Sequence, residues 1–159
     1  MGVVKSHIEA SSPVSAEKLY KGFFLGIDTL VPQLLPQYFK STEFISGDGG
    51  VGTVKKITLG ELGDITSMTQ RVDVIETEKM IYEYTIIDGD ILLGILDTII
   101  CHFEVEPTDD GGCIVKKTVT YIPKNEADEI PKERVEQSDQ VSAFVLKTVE
   151  AYLLANPDH

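Results

Sequence analysis

The sequence predicts an α+β fold in which a curved antiparallel sheet wraps around one long C-terminal helix, with two short helices after the first strand. Three features predict it. The chain opens on a segment of period-two alternation, continues through a run of further alternating segments separated by Gly- or Asp-rich turns, and closes on a segment whose apolar residues recur at helical spacing.

Residues 3–10 place Val4, Ile8 and Ala10 on one face and Lys5, His7 and Glu9 on the other, the signature of a strand with one face buried. Ser11-Ser12-Pro13 then offers helix-start chemistry, and Leu19, Tyr20, Phe23 and Phe24 recur at helical spacing until Gly26. A second short helix is expected over 29–35, ending against Pro36. Strands are expected at 38–45, 53–59, 65–75, 79–87, 95–106 and 112–122, with turns at 47–52, 60–64, 88–90 and 107–112. Strands in such close succession pair as antiparallel hairpins, which makes a seven-stranded sheet with the first strand.

From about Lys132 the pattern is helical. Val135, Ser138, Val141, Ser142, Val145, Val149 and Leu153 form one stripe, with Phe144 and Leu146 widening it. Roughly 23 residues of helix would span about 35 Å. Ser138 and Ser142 are small and polar where close packing would favour Leu, which hints at a space between helix and sheet.

A chain of 159 residues forms one domain, 1–159, and buries roughly 70% of its unfolded surface without needing disulfides or metal. The 26 acidic against 14 basic residues give a net charge of -12, which repels a phosphate backbone, so nucleic acid is not an expected partner. The densest basic clusters, Lys55-Lys56 and Lys116-Lys117, fall in strand-like segments and read as solvated strand faces. Residues 1–13 lack an apolar leader core, and no stretch approaches 18 uninterrupted apolar residues, so a cytoplasmic protein without membrane partners is expected. Met1-Gly2 with Ser6 fits an acylation pattern, but the same residues begin the first strand. Cys101 and Cys113 read as free, packed thiols.

The run Gly47-Asp48-Gly49-Gly50-Val51-Gly52 matches the spacing of a dinucleotide-binding fingerprint, but β-rich Thr53-Val54-Lys55-Lys56-Ile57 follows it where that fingerprint opens a helix. A glycine-dependent hairpin turn is expected instead. His7, His102 and His159 have no metalloprotease spacing, His7 and His102 fall on charged strand faces, and Asp109-Asp110 sits in a turn rather than a calcium loop. No metal, no cofactor and no catalytic residue is expected.

The strand faces carry more. One face of 79–87 holds Met80, Tyr82, Tyr84 and Ile86; the matching phase of 65–75 holds Met68, Gln70, Val72 and Val74; that of 95–106 holds Ile99, Cys101, Phe103 and Val105. Tyrosines and a glutamine in an apolar set suit either a core with backbone partners or a mostly apolar pocket with a few converging polar groups. Alternation turns either Lys116 or Lys117 inward, and Lys117 shares the phase of Val115, Val119 and Tyr121. A desolvated lysine there would serve as a base, an imine-forming amine or the partner of an acidic ligand.

Gly47-Asp48-Gly49-Gly50-Val51-Gly52-Thr53, Arg71-Val72-Asp73, Ile87-Asp88-Gly89-Asp90 and Gly111-Gly112-Cys113, with matching ends from Met1-Gly2-Val3 to Val149–Asn156, make the whole chain resemble the plant pathogenesis-related class-ten family, the birch-pollen-allergen type. The resemblance implies a helix-grip fold, a cytosolic and stress-induced monomer, recognition by IgE in sensitised hosts, and a small amphipathic ligand such as a flavonoid, cytokinin, sterol or fatty acid. By the same resemblance Phe23, Ile57, Leu59, Gln70, Tyr82, Tyr84, Phe103, Val141, Ser142 and Val145 line the cavity. The chain departs from the family pattern at Ser46, where glutamate is common, and at Pro123–Asp128 ahead of the final helix.

Three other functions are suggested by resemblance to relatives of this fold. Lys116 looks like the catalytic lysine of norcoclaurine synthase, and Lys55, Glu150 and Tyr152, with Asp97 in place of glutamate, match positions proposed for ribonuclease activity. The abscisic-acid receptors carry a Ser-Gly-Leu-Pro-Ala gate and a His-Arg-Leu latch, where this chain has Gly60-Glu61-Leu62-Gly63 and Asp88-Gly89-Asp90.

Overall fold

The structure, a computed structural model, describes residues 2–60 and 64–158. Seven strands form a single antiparallel sheet: β1 (Val4–Ser12), β2 (Phe39–Ser46), β3 (Val54–Leu59), β4 (Ser67–Glu76), β5 (Ile81–Asp88), β6 (Leu96–Pro107) and β7 (Cys113–Pro123), in the order β1-β7-β6-β5-β4-β3-β2. Helix α1 (Ala16–Leu19) continues as a π-helical turn, Tyr20–Leu25, and is followed by α2 (Ile27–Leu34); α3 spans Lys132–Ala155. The expected fold class is the observed one, and each strand lies within two residues of its expected span.

The alternation is physical. In β6, Leu96, Ile99, Cys101, Phe103 and Val105 are buried on the concave face, and in β7 Cys113, Val115, Lys117, Val119 and Tyr121 are. Their register is matched: Lys117 lies opposite Phe103 on one side and Ile8 on the other, whereas Lys116 lies opposite Glu104 and Glu9. Lys117 is therefore the inward lysine. Lys116 stays on the convex face, paired with Glu106 at 3.0 Å, a contact that raises its pKa.

The close-packed core is at one end. Leu19, Tyr20 and Phe24 from α1 and its π-helical extension meet Val149 and Leu153 of α3, all nearly free of solvent. The Phe24 ring lies 4.7 Å from Phe23, 4.9 Å from Phe103 and 5.6 Å from Tyr82, centroid to centroid. These spacings suit tilted and offset aromatic pairs and fix where the short helices sit on the sheet.

Several expectations need correction. β1 runs through Ser12, and the helix start is capped by Ser15, whose side chain accepts from Lys18 N. α2 begins at Ile27 rather than Thr29 and carries Pro32 inside it. A register shift between Val72 and Val74 pairs Val74 with outward Glu83 and Ile75 with inward Tyr82, so Val74 leaves the concave face and Ile75 joins it. Phe144 does not widen the buried stripe of α3; it is 48% exposed and meets Tyr38 edge-on at 5.8 Å. Lys55 lies not on a solvated strand face but inside, 2% exposed. Glu61, Leu62 and Gly63, in the turn compared with the receptor gate, lie outside the described residues.

Candidate ligand-binding cavity

The small residues of α3 mark where packing stops. Between the N-terminal half of that helix and the concave sheet lies a cavity of about 260 Å³. Ile57 and Leu59 of β3, Gln70 of β4, Tyr84 of β5 and Phe103 of β6 form its sheet wall. Phe23 enters from the helical turn, and Val141, Ser142 and Val145 close it from α3. All of these were expected on the wall. Tyr82, also expected there, is not: it is 3% exposed behind Phe24 and borders a separate recess beside the glycine loop.

The glycine loop is a hairpin turn between β2 and β3; its residues do not line the larger cavity, and Asp48 and Gly49 line the separate recess beside it. Gly47, Gly49 and Gly52 have positive φ, and a side chain on Gly47 would put its Cβ 2.8 Å from Thr53 Cα. Thr53 Oγ1 accepts from Gly49 N at 2.9 Å and Asp48 Oδ1 accepts from Gly50 N at 3.2 Å, while Gly52 N donates to Val72 O of β4 at 2.8 Å. Val51, at its tip, is 65% exposed.

Further polar groups on the wall were not among the expected lining residues. Lys55 Nζ donates to Asp28 Oδ1 at 2.7 Å, joining β3 to α2 by an ion pair whose lysine is shut off from water. The inward phase of Lys55 was readable from Ile57 and Leu59; its partner Asp28 was not, since it belongs to a helix distant in sequence. Lys117 Nζ donates to Ser142 Oγ and lies 5.8 Å from the centroid of the Phe103 ring. Burial holds its pKa below the ordinary lysine value, against the opposing pull of Cys101 and Asp139.

Tyr121 is 4% exposed, and its hydroxyl has no hydrogen-bond partner, Ser138 standing beside it outside bonding geometry. Burial pushes its pKa up to about 12 and that of Tyr84 far above the ordinary value, so both are neutral phenols able to donate. Burial likewise raises the Cys101 thiol, which makes it a poor nucleophile. At the rim, Arg134 of α3 forms a two-pronged ion pair with Asp64 at 2.8 and 2.7 Å, drawing the Asp64 pKa down to about 2. Among the described residues no group of three or more His, Cys, Asp or Glu is placed to hold a metal ion, and no helix is long and apolar enough to cross a membrane.

The profile of the "Pathogenesis-related protein Bet v 1 family" matches residues 1–156. The chain belongs to that family. "Pathogenesis-related protein 2" of Petroselinum crispum is 52% identical over 157 residues, covering 99% of this chain and 98% of the relative. "Ribonuclease 1" of Panax ginseng is 49% identical over 155 residues, covering 98% and 100%. The crystal structure of Ara h 8.0201 superposes with a TM-score of 0.87 at 35% identity, covering 98% and 100%. Norcoclaurine synthase from Thalictrum flavum, solved with dopamine and hydroxybenzaldehyde, shares the fold at a TM-score of 0.74 and 22% identity, over 97% and 88%.

Against that background the enzyme-like matches separate in space. Lys116, the lysine resembling the synthase's catalytic residue, points away from the cavity. Of the positions matched to ribonuclease proposals, Lys55 is held by Asp28, Glu150 is held by Lys147 at 3.1 Å on α3, and Asp97 is exposed.

Proposed function

We propose that this Bet v 1 family protein binds one small amphipathic molecule in the cavity between sheet and α3, as a cytoplasmic carrier or buffer in plant defence or stress. The observation that carries the reading is the cavity's make-up: apolar walls from several strands and α3, interrupted by a few buried polar groups, the usual composition of a small-molecule site. A ligand of about twenty non-hydrogen atoms at roughly 0.3 kcal/mol per atom gains about 6 kcal/mol, a dissociation constant in the tens of micromolar. Flavonoids, cytokinins, sterols and fatty acids are the candidate classes, the protein acts as a monomer, and IgE of sensitised hosts recognises its surface as the allergen names among its relatives suggest.

The test is calorimetric titration with one member of each class, on the wild type and on Val145→Trp. The indole would occupy the hollow beside α3, so binding should vanish while the fold persists. Undiminished binding by the filled variant would place the site elsewhere.

A condensing enzyme is the second reading, favoured by a single feature: Lys117 is a buried amine of lowered pKa on the cavity wall. Product formation from an amine and an aldehyde, lost in Lys117→Met and kept in Lys116→Met, would support it.

A further inference from the structure

Lys117 and Lys55 are both buried on the concave face, yet only Lys55 makes an ion pair among the described residues. Lys55 is neutralised by Asp28 at 2.7 Å. Lys117, 5% exposed, makes no ion pair among the described residues; its neighbours are the neutral Ser142 hydroxyl and the Phe103 ring. Asp139 attracts it from α3; Oδ2 of that carboxylate accepts from Ser6 Oγ at 2.8 Å, and Oδ1 is buried without a hydrogen-bond partner, short of ion-pair distance to the lysine. An ammonium has three hydrogens to donate, and a buried cation without an anion is costly.

A second unmet demand lies next to it. Tyr121, two residues past Val119 on the same face of β7, is buried with its hydroxyl unpartnered and borders the same cavity. Lys117 reaches α3 at Ser142, and Tyr121 stands beside Ser138, four residues earlier on the same helix, a rise of about 6 Å. A buried ammonium on an apolar wall suits a carboxylate, which accepts charge-assisted hydrogen bonds, and a neutral phenol on the same wall supplies a second donor.

We propose that the ligand is a carboxylic acid whose carboxylate accepts from Lys117 Nζ, with Tyr121 Oη as a second donor on the same wall and the ligand's apolar body lying toward Ile57, Leu59 and Val145. The inference rests on the cavity-binding function proposed above and adds the chemical class of ligand. It distinguishes the two lysines by role: Lys55 is a structural charge already satisfied, and Lys117 is the one that reads the ligand.

The experiment is isothermal titration calorimetry at neutral pH with phenylpentanoic acid and with the amide and alcohol of the same skeleton. Wild type should bind the acid roughly ten- to a hundredfold more tightly than either neutral analogue, the range expected for hydrogen bonds to a charged group. Lys117→Met should abolish that preference, and its cooperative thermal melt reports that the variant is folded. Tyr121→Phe should lose a smaller part of the preference. If acid, amide and alcohol bind wild type alike, or if Lys117→Met retains the preference for acid, the carboxylate assignment falls while binding in the cavity stands. If none of the three binds wild type, the carboxylate assignment falls here too, and the cavity reading is then decided by the panel and the Val145→Trp variant.

Discussion

Removing Asp28 should cost far more than removing the lysine it neutralises. Lys55 is 2% exposed and donates a hydrogen bond to Asp28 Oδ1 at 2.7 Å, while the Asp28 side chain keeps 26% of its surface in water. Asp28→Ala leaves an ammonium inside the protein with its counter-charge gone, a change that costs about 3 to 5 kcal/mol in buried pairs. Here the lower end, about 3 kcal/mol, is expected, because part of the pair was already hydrated. At this chain length that is a fall in Tm of roughly 6 to 12 °C. Lys55→Met removes the buried member, and the carboxylate left behind regains water, so a loss of about 1 kcal/mol or less is expected. The double variant should then recover most of what Asp28→Ala loses. Thermal and urea melts of the wild type and the three variants complete the cycle. Equal losses in the two single variants, or a loss below about 1 kcal/mol for Asp28→Ala, would refute the claim that Lys55 is the buried charge that needs its partner.

Three further outcomes follow from the same geometry. Gly47→Ala should lower stability by about 2 kcal/mol or more, since φ is 88° there and the new Cβ would meet Thr53 backbone, with ligand affinity unchanged in titrations. Lys117→Met should stabilise the ligand-free protein by about 1 to 2 kcal/mol at neutral pH, because it removes an unpaired buried cation. The folded lysine has a lower pKa than the unfolded one, so between the two values the unfolded chain binds more protons and wild-type stability rises with pH. The advantage of the variant should therefore shrink in melts from about pH 7 to about pH 10, near the ordinary lysine value. Asp64→Asn should leave Tm unchanged, as expected of an exposed pair, yet speed ligand association and dissociation in stopped-flow traces by loosening the contact across the rim.

The fold was legible because burial on one face imposes a period of two on strands and 3.6 on helices, and this chain keeps both with few exceptions. Val74 shows the limit: one extra residue in β4 inverts the phase, and nothing in the local sequence announces the bulge. Phe144 shows another, since an apolar residue at helical spacing can serve a surface contact with Tyr38 instead of the core. The wall of the cavity was legible as a face but not as a depth. Tyr82 and Tyr84 share that face, yet Phe24 lies over the first and open space over the second, a difference set by where the short helices come to rest. The same holds for charge. Alternation turns Lys55 and Lys117 inward alike, and only the placement of α2 supplies Asp28 to one and leaves the other facing Ser142. Hollowness itself is a distance between α3 and the sheet, which the serines of the helix permit but do not measure.

The central claim is that the space between sheet and helix holds a small molecule. Native mass spectrometry of protein purified from its own tissue addresses it directly. The expected result is a stoichiometric non-covalent adduct of a few hundred daltons, an acid by its fragmentation and exchange behaviour, that is lost in Val145→Trp. Protein that is reproducibly empty, and that takes up none of the flavonoid, cytokinin, sterol or fatty-acid probes, would contradict it.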